Sequence, residues 1–311
     1  MSTWFAGTAR CKRCHQGDPG MLVVPAAGRI LCSSRIKLTD KRLCTDLSMP
    51  SDLKFVVYGV RHSAYSHAYL TRLLTENVRP SCILSIDSSL RNQAASRTLM
   101  VHGGAQYPLH PAAWEQSATA PCLLALAEQH EIPYLAVPNF QCPKLELYLR
   151  QSTPTVILAT DGPIVRGSML YAAPYGILSV HAAQLPTFRG NWTTYFNLYH
   201  NLPLQVSAFI MQPWVDEGVL LGFRDVAITR GMDLAEINEA ALHASVDLAS
   251  QVLRQISSGA LVARRQEPWE GETFRGHFAH GSLQPAMPMA QQQELAERFA
   301  AGQYGFYTEM A

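Results

Sequence analysis

A histidine and an aspartate stand where a folded α/β chain could use them together. His181 closes the apolar run Gly176-Ile-Leu-Ser-Val-His181, and the carboxyl end of a buried strand is where open α/β sheets carry their chemistry. Asp216 follows a second β-rich run, in the loop Trp214-Val-Asp-Glu-Gly218. An imidazole beside a carboxylate can move protons near neutral pH. The pair therefore predicts acid–base chemistry, and the alternative is a packed histidine with an ordinary turn aspartate.

Alternating strand and helix patterns surround this pair. Before His181, the patterns predict strands at 53–60, 81–87, 133–137, 155–159 and 176–181, and helices at 64–75, 122–129, 143–150 and 164–171. After it, they predict a helix at 192–200 and strands at 205–212 and 219–228. Asp233 with Glu236 forms a capping box for a long helix that stops at Gly259. We expect a Rossmann-like, open, mostly parallel sheet with helices on both faces.

The chain divides into three predicted regions. Residues 1–48 form a basic, cysteine-containing extension that we expect to be poorly ordered, residues 49–258 the α/β domain, and residues 259–311 a small irregular C-terminal extension. The C-terminal extension holds a short strand near 270–274 and a helix at 291–301. Four of the cysteines fall in the first region, and they invite comparison with a zinc site: Cys11, Cys14, Cys32 and Cys44. Because the last two are not a close pair, we favour reduced thiols and expect no metal.

Composition excludes several classes of function. A chain of 311 residues with 48% hydrophobic content can bury a sizeable core, and its formal charge of +1 offers no net attraction for nucleic acid or an anionic membrane. No apolar run is long enough to span a bilayer, so we expect a cytoplasmic protein. The three-glycine dinucleotide fingerprint, the P-loop and the Gly-x-Ser-x-Gly elbow are all absent from the sequence. Nicotinamide, flavin and nucleophile-elbow chemistry are therefore not indicated.

The segment that contains His181 resembles a known family. It reads Ser179-Val-His-Ala-Ala-Gln-Leu-Pro-Thr-Phe-Arg-Gly190 and is followed by Asp216-Glu-Gly218. This is similar to the hallmark of the formyltransferases that use 10-formyltetrahydrofolate, Asn-x-His-(Pro)-x-x-Leu-Pro-x-x-x-Gly and then Asp-x-Gly. The resemblance covers residues 53–257 and is strongest over 155–230. It implies the formyltransferase fold and 10-formyltetrahydrofolate as the formyl donor.

The resemblance also implies roles for three side chains. His181, as the imidazolium, donates a hydrogen bond to the formyl oxygen, and Asp216 keeps it charged and accepts protons directly or through water. The family's asparagine, a second donor to that oxygen, is Ser179 here. Loss of one such donor typically costs ~10²–10³ in rate. The serine leaves three alternatives open: a reshaped active site, a different acyl group, or a relative that binds folate without turnover.

Two further segments would line the folate slot in this resemblance. One wall would use backbone groups that hydrogen-bond the edge of a pterin ring, together with a leucine that packs against it. The backbone groups belong to Gly162, Pro163, Ile164 and Val165, and the leucine is Leu170. The other wall is formed by Met211, Pro213, Trp214 and Val215. Without the resemblance, these residues would be interpreted as an ordinary turn and ordinary core side chains.

The acceptor is expected to be a small amine. The tRNA-specific members carry a further C-terminal domain, and the purine-pathway members a glycine-bearing phosphate loop that Gly59-Val-Arg-His-Ser63 does not reproduce. An amino sugar nucleotide, an amino acid or a peptide-synthesis intermediate fits better, and the irregular insertion at 88–120 could shape its pocket. A hydrolase of the same fold that passes the formyl group to water remains an alternative. The sequence leaves the oligomeric state open, a homodimer included.

Overall fold

A computed structural model describes most of the predicted α/β region and parts of both flanks. The described residues are 21–23, 53–87, 100–101, 122–139, 142–161, 165–190, 193–267, 270, 272–273 and 287–308. The four N-terminal cysteines, most of the 88–120 insertion and residues Gly162, Pro163 and Ile164 lie outside them. Among the helices in the described ranges, none combines the length and hydropathy needed to cross a membrane.

The described ranges contain strands and helices in alternation. The strands are β1 (Met21–Val23), β2 (Phe55–Val60), β3 (Cys82–Ile86), β4 (Met100–Val101), β5 (Tyr134–Val137), β6 (Val156–Ala159), β7 (Ile177–His181), β8 (Phe188–Arg189), β9 (Gln205–Ile210), β10 (Val219–Asp225), β11 (Val262–Arg264) and β12 (Glu272–Thr273). The α-helices are α1 (Ala64–Thr75), α2 (Leu123–Gln129), α3 (Pro143–Ser152), α4 (Thr193–Tyr199), α5 (Leu234–Ser258) and α6 (Met289–Ala300). A 3₁₀ helix spans Gly167–Tyr171.

One open sheet organises the fold. Its strand order is β1-β11-β10-β9-β7-β6-β2-β3-β5-β4, and the strands from β7 to β5 in that order run parallel to one another. The neighbour of β7 on the other side, β9, is antiparallel to it. The parallel order therefore ends at β7, so the strand that carries His181 has a parallel neighbour on one side and an antiparallel one on the other.

Both faces of the sheet are covered. Residues of β2 alternate between two cores, with Phe55 and Val57 facing α1, α2 and α5, and Val56 and Tyr58 facing α3 and the 3₁₀ helix. Because both faces are buried, the central strands are continuously apolar rather than alternating. The predicted open α/β sheet with helices on both faces is confirmed.

The helix and strand boundaries agree with the sequence pattern except at one helix. The capping box that begins α5 is present, since Asp233 Oδ1 accepts from the Glu236 amide at 2.9 Å and Glu236 accepts from the Asp233 amide at 2.8 Å. The helix expected at 164–171 is wrong in type and length. Gly167 has a left-handed φ of +68°, so no α-helix runs through it, and only the short 3₁₀ helix forms there.

Two strands that the pattern did not predict join the sheet at its far edge. In the C-terminal region, β11 pairs antiparallel with β10 at Leu220 and Arg264. In the N-terminal extension, β1 pairs antiparallel with β11 from Met21–Arg264 to Val23–Val262. The three-region division of the chain stays a prediction. Because β11 is part of the sheet, the C-terminal segment beyond α5 begins in contact with the strands that carry the site.

Candidate active site

The structure brings His181 and Asp216 together. His181 is the last residue of β7, and its Nδ1 lies 3.7 Å from Asp216 Oδ2. The side chains are 12% and 17% exposed, so both groups are largely shielded but reachable from solvent. Low exposure strengthens the interaction between two opposite charges relative to the same pair in water. The spatial pairing of these two residues agrees with what the sequence implied.

The other nitrogen of the His181 ring is anchored to the main chain. Its Nε2 lies 3.1 Å from the carbonyl oxygen of Phe188. A carbonyl oxygen only accepts, so Nε2 carries a proton in this contact. When Nδ1 is also protonated, the ring has a second N–H, and the 3.7 Å between Nδ1 and Asp216 Oδ2 is longer than a hydrogen bond. This N–H can therefore donate to an oxygen placed beside the ring.

Asp216 is held by the loop that comes after His181. Its Oδ2 accepts a hydrogen bond from the Gly190 amide at 2.8 Å. Gly190 has a φ of +104°, a conformation that favours glycine. Asp216 has a φ of +54°, in the left-handed region that aspartate tolerates better than most side chains. The glycine of the Leu-Pro…Gly loop thus orients the carboxylate that faces the histidine.

The glycine after Asp216 has a packing role. A Cβ placed on Gly218 would lie 1.8 Å from the Ile210 carbonyl oxygen, far inside contact distance. Only glycine lets the backbone pass the end of β9 so closely. The Asp-x-Gly spacing therefore fixes where the Asp216 loop leaves β9 and enters β10.

Ser179 lies on the same side of the sheet as His181. The two are separated by one residue in β7, and alternate residues of a strand point to the same face. Ser179 is half-buried and is paired with Ala159 of β6 and Phe209 of β9. Its backbone is therefore held from both sides, and its side chain points to the same face of the sheet as the His181 ring. Its role as a hydrogen-bond donor stays a prediction.

The described members of the expected folate slot fall into two groups. Val165 and Leu170 are buried in the core that contains Ile177 of β7, and half-buried Met211 packs against the same core. Pro213 and Trp214 are exposed and Val215 is half-buried, all three on the Asp216 loop. Trp214 is 65% exposed, which leaves an aromatic face at the surface two residues before Asp216. Val165, Leu170 and Met211 therefore lie in or against the core at Ile177, the first residue of β7, whereas Trp214 lies on the loop that carries Asp216.

Charged groups at the neighbouring strand ends are already engaged with one another. Beyond β2, the buried Arg61 guanidinium forms an ion pair with Asp87. Burial lowers the pKa of Arg61, but the hydrogen bond to Asp87 opposes burial, and the pKa of Arg61 is raised overall. Burial and the Arg61 charge lower the pKa of His62. Asp161, which follows β6, accepts a hydrogen bond at Oδ2 from the Ser63 hydroxyl at 2.6 Å. These strand ends therefore carry both a cation and carboxylates, and Arg61, Asp87 and Asp161 each have a partner.

Three residues that support the pair were not singled out from the sequence. Ser207, opposite His181 in β9, accepts from the Leu185 amide at 2.8 Å and donates to the Ala183 carbonyl at 2.6 Å. Arg189 and Gln266 are buried and bonded to each other. Ser207 could have been noticed from the sequence, because it is a polar residue inside the apolar run of β9. Gln266 carried no such signal because its run is short and mixed.

Several solved structures are similar to the chain. A glycinamide ribonucleotide transformylase from Symbiobacterium toebii has a TM-score of 0.49 and 17% identity, over 72% of this chain and 99% of that one. An N-formyltransferase from Helicobacter canadensis, in complex with folinic acid and dTDP-3-aminofucose, has a TM-score of 0.46 and 12% identity, over 71% of this chain and 70% of that one. No family model matches the chain.

Curated proteins give a sequence match of higher identity. A methionyl-tRNA formyltransferase from Geotalea daltonii is 26% identical over 165 residues, which is 51% of this chain and 52% of that protein. Over that half, the chain is similar in sequence to a formyltransferase. It spans about half the length of the curated relatives it matches. The formyltransferase resemblance drawn from the His181 and Asp216 motifs is confirmed.

Proposed function

We propose that this formyltransferase relative transfers a formyl group from 10-formyltetrahydrofolate to the amine of a small molecule. The acceptor classes are an amino sugar, an amino acid or a peptide-synthesis intermediate. The observation that carries the proposal is the 3.7 Å approach of His181 Nδ1 to Asp216 Oδ2, with Nε2 anchored on the Phe188 carbonyl. This pair offers a donor and an acceptor of protons at one point, as the transfer of a formyl group to an amine requires.

Each residue of the site has a part in the proposed mechanism. The donor supplies the formyl carbon, which the acceptor amine attacks. Negative charge then develops on the formyl oxygen, and His181 Nδ1–H stabilises it by donating a hydrogen bond. Asp216 accepts the proton that the amine loses, directly or through water. The bond between the formyl carbon and N10 of the folate then breaks, N10 takes up that proton, and tetrahydrofolate leaves. Ser179, on the same face of β7, is the second donor to the oxygen.

The apolar residues between Ile177 and the Asp216 loop support folate as the formyl donor. Met211 lies half-buried over the core that holds Val165 and Leu170, and Trp214 exposes its ring on the same loop as Asp216. A pterin is flat and aromatic and carries polar edges, so an apolar floor with an aromatic rim fits it. The sequence resemblance also assigns Gly162, Pro163 and Ile164 to the folate slot, and these three lie outside the described residues.

A second acceptor is favoured by the curated relatives. The protein from Geotalea daltonii is a methionyl-tRNA formyltransferase, so methionyl-tRNA belongs among the acceptors to be tested. The formal charge of +1 argues for the small amine instead, because proteins that bind nucleic acid usually carry a surplus of cations.

The direct test is an assay with a panel of acceptors. Purified protein is incubated with 10-formyltetrahydrofolate and separately with amino sugar nucleotides, hydroxyornithine-type amino acids, methionyl-tRNA or no acceptor. Release of tetrahydrofolate is monitored by absorbance, and the products are identified by mass spectrometry. We expect tetrahydrofolate and a formylated small amine to appear together. Formate released without an acceptor would indicate a hydrolase, and formyl-methionyl-tRNA would indicate that the second acceptor is the substrate. Binding of the donor without its consumption would indicate a non-catalytic binder. Each of these three outcomes contradicts the proposal.

Ser179→Asn is expected to raise the rate. The carboxamide is longer than the hydroxyl and brings its N–H closer to the formyl oxygen, so kcat should rise by at least about tenfold and by at most the ~10²–10³ that one full donor contributes. Steady-state kinetics with the best acceptor measure the change. Ser258→Asn, an exposed serine at the end of α5, is the matched control and should leave kcat unchanged. An unchanged rate in Ser179→Asn would assign Ser179 to another acyl group or to substrate shape.

A further inference from the structure

We propose that Gln266, held by the buried Arg189, is a positioning residue that fixes Asp216 opposite His181. The inference rests on the proposed function, since it deepens the account of the same site. Gln266 is 50 residues from Asp216 in the chain, and it is 5% exposed. It lies just beyond β11, in the region after α5 that the sequence marked only as an irregular extension.

Both ends of the Gln266 side-chain amide have hydrogen-bond partners of the correct kind. Its Nε2 donates to the Asp216 carbonyl at 3.0 Å and to the Gly218 carbonyl at 2.7 Å. Its Oε1 accepts from Arg189 Nε and Nη2, both at 3.3 Å. Carbonyl oxygens only accept and a guanidinium only donates, so these partners fix which way the amide faces. Glutamine is suited to this position because one end donates and the other accepts.

Arg189 links Gln266 to both members of the pair. It is 0% exposed, and its Nη2 also donates to the Glu267 carbonyl at 3.2 Å. A buried cation is costly unless hydrogen bonds satisfy it, so this guanidinium holds its acceptors firmly. Its neighbours in the chain are Phe188, whose carbonyl anchors His181, and Gly190, whose amide anchors Asp216. A single short segment therefore binds the histidine, the aspartate and the glutamine.

The Asp216 loop needs such support because of its backbone conformation. Asp216 has a φ of +54°, and non-glycine residues persist in this region when their surroundings over-determine it. Gln266 binds the carbonyls on both sides of Glu217, and Gly190 binds the Asp216 side chain. The carboxylate is thereby held from the backbone and from the side chain. Loss of the Gln266 contacts would free the loop to turn Oδ2 away from the imidazole.

The segment that carries Gln266 touches both loops of the site. β11 joins the sheet beside β10, and β12 pairs in parallel with β8, with Glu272 opposite Phe188 and Thr273 opposite Arg189. The chain between them passes Gln266 and Glu267, which bind Arg189. The part of the C-terminal region from β11 to β12 thus belongs to the support of the site.

Gln266→Glu is the sharpest test of this positioning role. A glutamate keeps an acceptor for Arg189 but cannot donate to the Asp216 and Gly218 carbonyls when it is ionised. We expect kcat to fall by about 10- to 100-fold with less than a threefold change in KM for the donor, because misplacement of a reacting group by ~1 Å can cost ~10² in rate. Gln292→Glu, a partly buried glutamine of α6 whose amide donates to the Met287 carbonyl, is the matched control and should retain wild-type kcat and KM.

A double-mutant cycle separates positioning from general stabilisation. If Gln266 acts through Asp216, then Gln266→Glu should change kcat by less than about twofold in an Asp216→Asn background, since coupled residues are not additive. A full additional loss in that background would overturn the proposal. Where Gln266→Glu does not fold, Gln266→Met is measured in the same cycle with the same criteria.

Hydrogen exchange provides a readout that does not depend on activity. The Gly190 amide donates to Asp216 Oδ2, so its exchange should accelerate in Gln266→Glu and stay unchanged in Gln292→Glu. Unchanged protection of this amide in Gln266→Glu would overturn the positioning role. If the wild-type protein transfers no formyl group to any acceptor, the proposed function fails alone, and the exchange of Gly190 still decides the inference.

Discussion

Replacing His181 with alanine is expected to lower kcat by about 10²–10⁴, the range for loss of a positioned acid–base group. The substitution removes the Nδ1–H that faces the reacting centre and the Nε2–H that binds the Phe188 carbonyl. KM for the formyl donor should change little, because the apolar wall at Met211 remains. Product formation is measured with 10-formyltetrahydrofolate and the acceptor that the panel identifies.

The control for this variant is a histidine away from the site. His243 lies in α5, its side chain is 48% exposed, and its nearest charged partner is Glu239 of the same helix. His243→Ala should keep the wild-type rate. Equal donor consumption by the wild type and His181→Ala would remove the histidine from the mechanism. A lower rate that merely parallels a lower melting temperature would point to folding instead.

Replacing Asp216 with asparagine should lower kcat by about 10²–10³, an estimate drawn from the loss of one electrostatic contact in a shielded site. Asparagine has nearly the same shape, and its amide oxygen can still accept from the Gly190 amide. The loop is therefore expected to keep its place while the charge opposite the imidazole is lost. The loss should appear in kcat rather than in binding of the donor.

Asp225→Asn serves as the matched control. Asp225 ends β10, is exposed, and accepts from Gln205 Nε2 across the strand pair. Its replacement should leave kcat unchanged.

The double variant His181→Ala, Asp216→Asn tests whether the two residues act together. It should be only slightly slower than His181→Ala alone, because residues that act as a unit do not have additive effects. Independent, multiplying losses from the two substitutions would refute a joint role for them.

The elements around the site were predictable because their signals are local. The apolar runs at β2 and β6 predict strands, and the Asp233 capping box predicts the start of α5, since each depends on residues close in sequence. The helix expected at 164–171 failed for a local reason as well, the left-handed Gly167. The short strands β8 and β11 gave no usable pattern, because such short stretches barely show a period.

The site itself was predictable in part. His181 stood out because it closes an apolar strand, and Asp216 because a glycine stands two residues later. The structure explains that glycine, because a side chain at Gly218 would clash with the Ile210 carbonyl. Gln266 was missed because its partners are distant in the chain and two of them are backbone carbonyls, which every residue carries.

The sequence by itself determined most of the strands and helices around the site, the strand-end position of His181 and the formyltransferase resemblance that includes Asp216. Only the tertiary structure decided that Asp216 Oδ2 meets Gly190 across 26 residues and that Arg189 meets Gln266 across 77. The reason is physical. Local patterns record which residues are apolar and which can cap or turn. A buried guanidinium or carboxylate requires a hydrogen-bond partner, but the packing of distant segments selects which residue supplies it.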